Sequence, residues 1–234
     1  MSKKSAVVLL SGGLDSVVSL ASIEDRLDIA LALFFNYGQR SFEREMKAVK
    51  SICKYYSVNY EVLNLDWLKK ITSTSLVNLD KDLPLYDQAK LDSDISVLES
   101  SAKSVWVPNR NGVMLNIAAS YADSYDLDYV VFGANKEEAV TFPDNSIKFV
   151  DSINQSFSFS TSNKVEVIAP MAFKTKEEIV EIAISLNVPL SMLWSCYSSK
   201  TYHCGECESC NRIKRAIISN NKPELWEELS QSAF

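Results

Sequence analysis

Val7-Val8-Leu9-Leu10-Ser11-Gly12-Gly13-Leu14-Asp15-Ser16 is the stretch that decides the fold. Four apolar residues in a row read as a short strand buried on both faces. The glycine pair breaks that strand, and Leu14, Val17, Val18 and Ala21 then recur at helical spacing. A helix that starts straight after a strand offers free N–H groups and the positive end of its dipole, and both attract phosphate. Gly12 and Gly13 let the backbone approach an anion closely, and the hydroxyls of Ser11 and Ser16 add donors. Asp15 is the odd member, because a carboxylate repels phosphate; it makes sense as a helix cap or as a ligand of magnesium. The lysine of a Walker loop is missing, so the segment is not built for ordinary γ-phosphate transfer. It suits a site that holds a pyrophosphate leaving group while the α-phosphate is attacked. A plain strand-to-helix turn would explain an isolated S-G-G equally well. Against that, Gly12, Gly13, Gly38, Gly112 and Gly133, five of the six glycines, fall at expected strand ends or helix starts. There an open α/β sheet binds its ligands.

Outward from this loop the same rhythm repeats. Apolar runs at 29–35, 60–65, 129–132 and 165–169 predict four more strands. Between them, helical stripes are carried by Phe42, Met46, Val49, Ile52 and Cys53, by Val113, Met114, Ile117, Ala118 and Tyr121, and by Ile147, Val150, Ile153 and Phe157. Further helices are expected at 176–186 and 212–218, and Pro223 should open a final short one. Strands alternating with helices predict a three-layer α/β fold around a parallel five-stranded sheet with right-handed crossovers. Residues 72–104 are polar, serine-rich and aperiodic. A loop of that length is either a surface insertion or a lid over a site.

With 234 residues, 47% of them apolar, the chain can build one sizeable domain and a small appendage. A net charge of −6 speaks against a general nucleic-acid binder. No run approaches 18 apolar residues, so no membrane-spanning helix is expected, and the apolar run at 6–10 ends too soon for a signal peptide. Cys53 stands alone and reads as a core residue. Cys196, Cys204, Cys207 and Cys210 form C-x7-C-x2-C-x2-C. That clustering indicates a metal site in a reducing, cytoplasmic setting rather than a disulfide frame. Four thiolates suit tetrahedral Zn2+ and leave no open position, which makes the site structural. An iron–sulfur cluster uses the same ligands and stays open as an alternative. His203, the one histidine, argues against a Ser-His-Asp hydrolase.

Five blocks together carry a resemblance. S-G-G-L-D-S at 11–16 resembles the PP-loop of the N-type ATP pyrophosphatases. Phe35-Asn36-Tyr37-Gly38-Gln39-Arg40, Val107-Pro108-Asn109-Arg110-Asn111, Phe142-Pro143-Asp144 and the closing Cys196…His203-Cys204-Gly205-x-Cys207-x-x-Cys210 resemble, in this order, the 7-cyano-7-deazaguanine synthase family within that superfamily. The similarity runs from about residue 6 to about residue 216. The family often has Asp at Asn36, Gly at Asn109, Tyr at Phe142 and Cys at Asn145. The resemblance places the last three near the substrate pocket.

The resemblance implies an adenine-nucleotide α-hydrolase-like domain over 1–190, with a zinc-binding extension over 191–234 packed on it. It implies that the carboxylate of 7-carboxy-7-deazaguanine attacks Mg-ATP, that ammonia converts the adenylate to an amide, and that a second activation dehydrates the amide to the nitrile. Leu10, Ser11, Gly12, Gly13, Leu14, Asp15 and Ser16 would hold the nucleotide with Mg2+, and Ser11, Asp15, Ser16, Arg110 and Lys174 would carry catalysis. Tyr37, Gly38, Gln39 and Arg40 are expected at adenine or ribose, with core packing as the alternative for Tyr37. Asn109, Arg110, Asn111, Glu137, Phe142 and Asp144 are expected at the substrate. Arg110 opens a helix and can grip phosphate or carboxylate with two bonds. Lys174, past the fifth strand, either neutralises the leaving phosphates or is simply solvated. A homodimer is implied as well. Other acceptors, a thiolated tRNA base or a protein terminus, are the neighbouring enzyme reading, and a non-catalytic nucleotide-binding partner protein is the reading from another class.

Overall fold

The computed structural model describes residues 3–85 and 95–231. Five strands form one sheet: β1 (Lys4–Leu9), β2 (Leu27–Asn36), β3 (Tyr60–Asn64), β4 (Tyr129–Val131) and β5 (Glu166–Ile168). Their order is β3-β2-β1-β4-β5, and every neighbouring pair is parallel. Parallel neighbours need crossovers. Helices α1 (Leu14–Ala21), α2 (Phe42–Tyr56) and α3 (Asp66–Ile71) follow β1, β2 and β3. Then come α4 (Ile95–Val105) and α5 (Arg110–Ser124) before β4. Helices α6 (Glu138–Thr141) and α7 (Ile147–Ser160) lie between β4 and β5. After β5 come α8 (Lys176–Ser185), α9 (Glu208–Ser219) and α10 (Pro223–Gln231).

The alternation of side chains in β1 sorts the core into two layers. Ala6 and Val8 face a cluster with Val17 and Leu20 of α1, Val49 of α2, Ile179 of α8 and Ile213 of α9. Val7 and Leu9 face the opposite cluster, with Leu68 of α3, Leu115 and Ala118 of α5 and Phe157 of α7. Both faces of the central strand are therefore covered, which is why it reads as an unbroken apolar run. The expected three-layer α/β fold with five parallel strands is the one found.

Two expectations change. Within 72–104 the last part is a helix, α4, although serines hide its period. Its Ala102 and Val105 are buried, and buried Ser101 donates to Glu208 of α9 at 2.6 Å. The part of the loop at 86–94 lies outside the described residues. The helix expected at 212–218 starts earlier, at Glu208, directly after Cys207.

Candidate active site

Chain direction reverses at β1: β2 lies on one side of it, β4 on the other. The carboxyl ends of β1 and β4 flank that switch point, where an open parallel sheet leaves a crevice. The loop after β1 and Gly133 after β4 meet there. A Cβ on Gly133 would sit 2.9 Å from both the Cα and the N of Ser16, so only glycine lets the two strand ends come this close. Gly12 has φ +78°, and a Cβ on it would meet Ala48 Cβ at 2.8 Å. It turns the loop against α2 and, through its carbonyl, accepts the backbone N–H of Trp194 at 2.9 Å.

The loop closes on itself. Ser11 N–H donates to Ser16 Oγ at 3.2 Å, Ser16 Oγ donates to the Gly13 carbonyl at 3.1 Å, and the two serine hydroxyls are 3.1 Å apart. The N-cap of α1 is Gly13 with no side-chain cap, so Asp15 does not cap the helix. It sits in the first turn and faces a lysine. That lysine is Lys176, not Lys174. Lys176 Nζ donates to Asp15 Oδ2 at 2.5 Å and to Glu138 Oε1 at 3.0 Å, and its side chain is 9% exposed. Lys174 lies two residues earlier, is 42% exposed and pairs with Glu178. The reason is local. Thr175 caps α8 in a capping box with Glu178, which turns Lys176 inward as the first helical residue and leaves Lys174 outside.

One buried cation thus stands between two carboxylates. Burial alone would lower the pKa of Lys176, but Asp15 and Glu138 outweigh it and the ammonium is held well above its usual range. Glu138 is likewise opposed by burial, yet Lys176 brings it down to about 2. For Asp15 burial wins and its carboxyl is raised. Its Oδ1 is buried and accepts no hydrogen bond among the described residues. A carboxylate with one free buried oxygen, beside a phosphate-type loop, is a fitting place for a magnesium ion.

The same crevice is lined by Leu10, Ser11, Gly13, Leu14, Asp15 and Ser16, by Tyr37 and Gln39, and by Arg110, Asn111, Phe142 and Asp144. Arg110 donates to the Tyr37 hydroxyl at 3.0 Å, and its guanidinium lies 5.5 Å from the Tyr37 ring centroid. Tyr37 is buried, as the core-packing alternative expects, and it also lines the crevice. Gln39 anchors the turn by accepting from Tyr37 N–H at 2.9 Å and donating to Glu45 at 2.9 Å.

Other expected residues lie outside the crevice. Arg40 points away and donates to the carbonyls of Asn78 and Lys81, tying down the 72–85 loop. Gly38 turns with φ +83° against the Lys69 side chain. Asn109 is exposed and takes the left-handed φ of +50° at the N-cap of α5. Gly12 backs onto α2, as described. Glu137 is turned from the crevice. It accepts from Lys176 N–H at 2.8 Å, from Arg215 at 2.7 Å and from Arg212 at 3.3 Å. Its neighbour Glu138 is the acid that lines the site. Sequence reading missed Glu138, Lys176, Glu45 and Trp106. A signal for Lys176 was present, because Thr175-Lys176-Glu177-Glu178 spells a capping box.

The four cysteines converge, with sulfurs within 4.8 Å of one another. That spacing and the all-thiol donor set fit a tetrahedral ion, with zinc as the simplest occupant. His203 is not among these groups. It is buried against Trp194, with ring centroids 4.4 Å apart, and Nε2 accepts the Ser195 N–H at 3.2 Å. Burial lowers it to about 4, so it is neutral. Cys196, Cys207 and Cys210 pack on Trp194 and on Ala48 of α2. Cys207 opens α9, whose Glu208 binds Arg212 at 2.8 Å. Arg212 reaches Glu137, which holds the backbone of Lys176. A connected path of ion pairs and one backbone hydrogen bond therefore runs from Glu208, next to Cys207, to Asp15.

A three-layer parallel sheet with a phosphate-type S-G-G-L-D-S loop at its switch point defines the PP-loop class of adenine-nucleotide α-hydrolase-like folds. Comparison with known proteins narrows this. Residues 5–221 match the family model described as queuosine biosynthesis protein QueC, and the chain belongs to that family. It is 48% identical over 214 residues to the 7-cyano-7-deazaguanine synthase of Methanosarcina mazei, covering 91% of this chain and 93% of the relative. Its identity to the enzyme of the same name from Methanosarcina barkeri is 47%, with the same coverage. To that of Pelotomaculum thermopropionicum it is 47% identical over 211 residues, covering 90% of this chain and 95% of the relative. Among the described residues, no helix is long and apolar enough to cross a membrane.

Proposed function

We propose that this chain is a 7-cyano-7-deazaguanine synthase, an ATP-dependent C–N ligase of queuosine biosynthesis. The observation that carries the reading is the single crevice into which the Ser11–Ser16 loop, Lys176 with its two carboxylates, Arg110 and Asp144 all project. The carboxylate of 7-carboxy-7-deazaguanine attacks the α-phosphate of ATP and pyrophosphate leaves. Ammonia attacks the acyl adenylate and AMP leaves, giving the amide. A second ATP activates the amide oxygen, and loss of that oxygen with AMP and of the nitrogen's protons gives the nitrile.

No side chain becomes a covalent nucleophile; catalysis rests on positioning and on charge. Ser11, Gly13 and Ser16 receive the departing pyrophosphate at the N-terminus of α1. Arg110, half-buried and always charged, neutralises the oxyanions at the reacting centre. Lys176 fixes Asp15 in place. Asp15, through its free Oδ1, would hold magnesium, and the ion would offset charge on the triphosphate. The cysteine set holds zinc in a structural role. Residues 191–234 act as an extension of the 1–190 domain, since Ile213, Ile217 and Leu229 join its core. The enzyme acts in the cytoplasm as a homodimer, on small molecules rather than nucleic acid.

Purified protein with Mg-ATP, ammonium and 7-carboxy-7-deazaguanine should yield the nitrile and AMP by mass spectrometry, and Asp15→Ala should abolish both. An adenylate without nitrile would move the acceptor to tRNA or a protein terminus. Neither product from folded, metal-loaded protein would refute the assignment.

A further inference from the structure

The reaction brings two purine-like rings into one crevice, and something must tell them apart. We propose that Asp144, which lines the crevice together with the parallel rings of Trp106 and Phe142, reads the guanine-type edge of the deazapurine and excludes adenine from that place. This deepens the reaction proposed above and rests on it. Asp144 Oδ1 is buried and has no hydrogen-bond partner among the described residues. Its backbone carbonyl accepts the Asn111 side chain at 3.5 Å. Burial raises its pKa, with the nearby Arg110 opposing the rise.

A buried acceptor left without a donor is costly, and a ligand N–H relieves it. The chemistry of the missing donor follows. A guanine-type ring carries N1–H and the 2-amino group side by side, two parallel donors that match a carboxylate's two oxygens. Adenine presents a bare N1 acceptor on the same edge and no 2-amino group, so its lone pair would face the carboxylate. Glu137, the other acid expected at the substrate, is occupied by Lys176, Arg212 and Arg215. Asp144 is left for the role.

A flat ring also needs a face to lie on. Trp106 and Phe142 are parallel within 4°, with centroids 6.1 Å apart, and both line the crevice. Trp106 remains 36% exposed, so part of its surface is uncovered. Phe142 is joined to Asp144 through Pro143 in the 3-10 turn Pro143–Asn145, which fixes the stacking face relative to the acceptor. Trp106 is therefore a second specificity residue, on the opposite chain segment.

The test is calorimetric titration of the wild-type protein, without ATP, using 7-carboxy-7-deazaguanine and its analogue lacking the 2-amino group. Turnover is measured alongside. The analogue should bind about 30- to 100-fold more weakly, because one charge-assisted bond is lost. Asp144→Asn should shrink that discrimination to about threefold or less while leaving KM for ATP unchanged. Trp106→Ala should weaken both ligands alike, by about tenfold, and Trp106→Phe should restore them. Equal binding of the two ligands by wild-type protein, or full discrimination by Asp144→Asn, overturns the proposal. Discrimination without any nitrile or adenylate keeps the subsite and refutes the reaction instead. Nitrile formation without discrimination does the reverse.

Discussion

Replacing Lys176 by Met keeps most of the side chain's volume and removes its charge. Asp15 and Glu138 would then face each other in a buried crevice with no cation between them. Removing one partner of a buried ion pair costs about 3–5 kcal/mol, because the remaining charge is left uncompensated. Lys176 is 9% exposed and its partners 15% and 31%, so solvent screening removes little of this. Set against a net stability of about 5–15 kcal/mol, the loss is large. It corresponds to a fall in Tm of about 6–20 °C for a chain of this size.

The pH dependence gives the sharper test. In the wild type Glu138 is held at about 2, below its unfolded value. It therefore contributes stability above pH ~4.3, which is lost as pH falls toward 2. In Lys176→Met the cation is gone and both carboxyls rise above their unfolded values. They then destabilise the fold increasingly as pH climbs from ~4 through the raised pKa. The gap between variant and wild type must be widest at neutral pH and narrow toward pH 4. Urea unfolding at pH 7.5 and at pH 4.5 measures it. A gap of less than about 1 kcal/mol at pH 7.5, or one that is the same at both pH values, would refute the central place given to this lysine.

Lys174→Ala, at the exposed position, should leave kcat within about twofold, whereas Lys176→Met abolishes turnover; steady-state kinetics on the pair decides between the two lysines. Gly133→Ala places a methyl against the backbone of Ser16, so nitrile formation should fall by about tenfold or more with metal content unchanged, as seen by elemental analysis of the same sample. That analysis should return one zinc per wild-type chain and none in Cys207→Ser, with a marked loss of thermal stability in the variant. Iron with a brown chromophore would transfer the site to iron–sulfur chemistry. Arg40→Ala should release the 72–85 loop, read as faster limited proteolysis there.

Much of this was legible in the sequence because the sheet is parallel and buried. Runs such as that at 29–35 cannot be anything but central strands when Asn36-Tyr37-Gly38 closes them, and the S-G-G-L-D-S loop announces its own context. What stayed hidden was direction. Lys174 and Lys176 are equally good cations on paper, and only the Thr175 cap, by fixing the phase of α8, sends one inward. Glu137 and Glu138 are adjacent, and the start of α6 points one at Arg212 of α9 and the other at Lys176. Arg40 looked like a nucleotide contact because it follows Gln39, yet the turn that brings Gln39 inside throws its neighbour out. Helix α4 was masked because its buried Ser101 is satisfied by Glu208, a residue 107 positions away that no local pattern reveals.

The chain of charges from Glu208 to Lys176, with the Trp194 N–H on Gly12, has a consequence for how the protein is made. The phosphate loop emerges from the ribosome first, but the groups that brace it arrive about 180 residues later. Until Trp194, Arg212 and Leu229 have been synthesised and docked, the loop lacks its outer wall. A partly translated chain therefore carries the phosphate loop without the Trp194 N–H on Gly12 and without the Arg212 contact to Glu137.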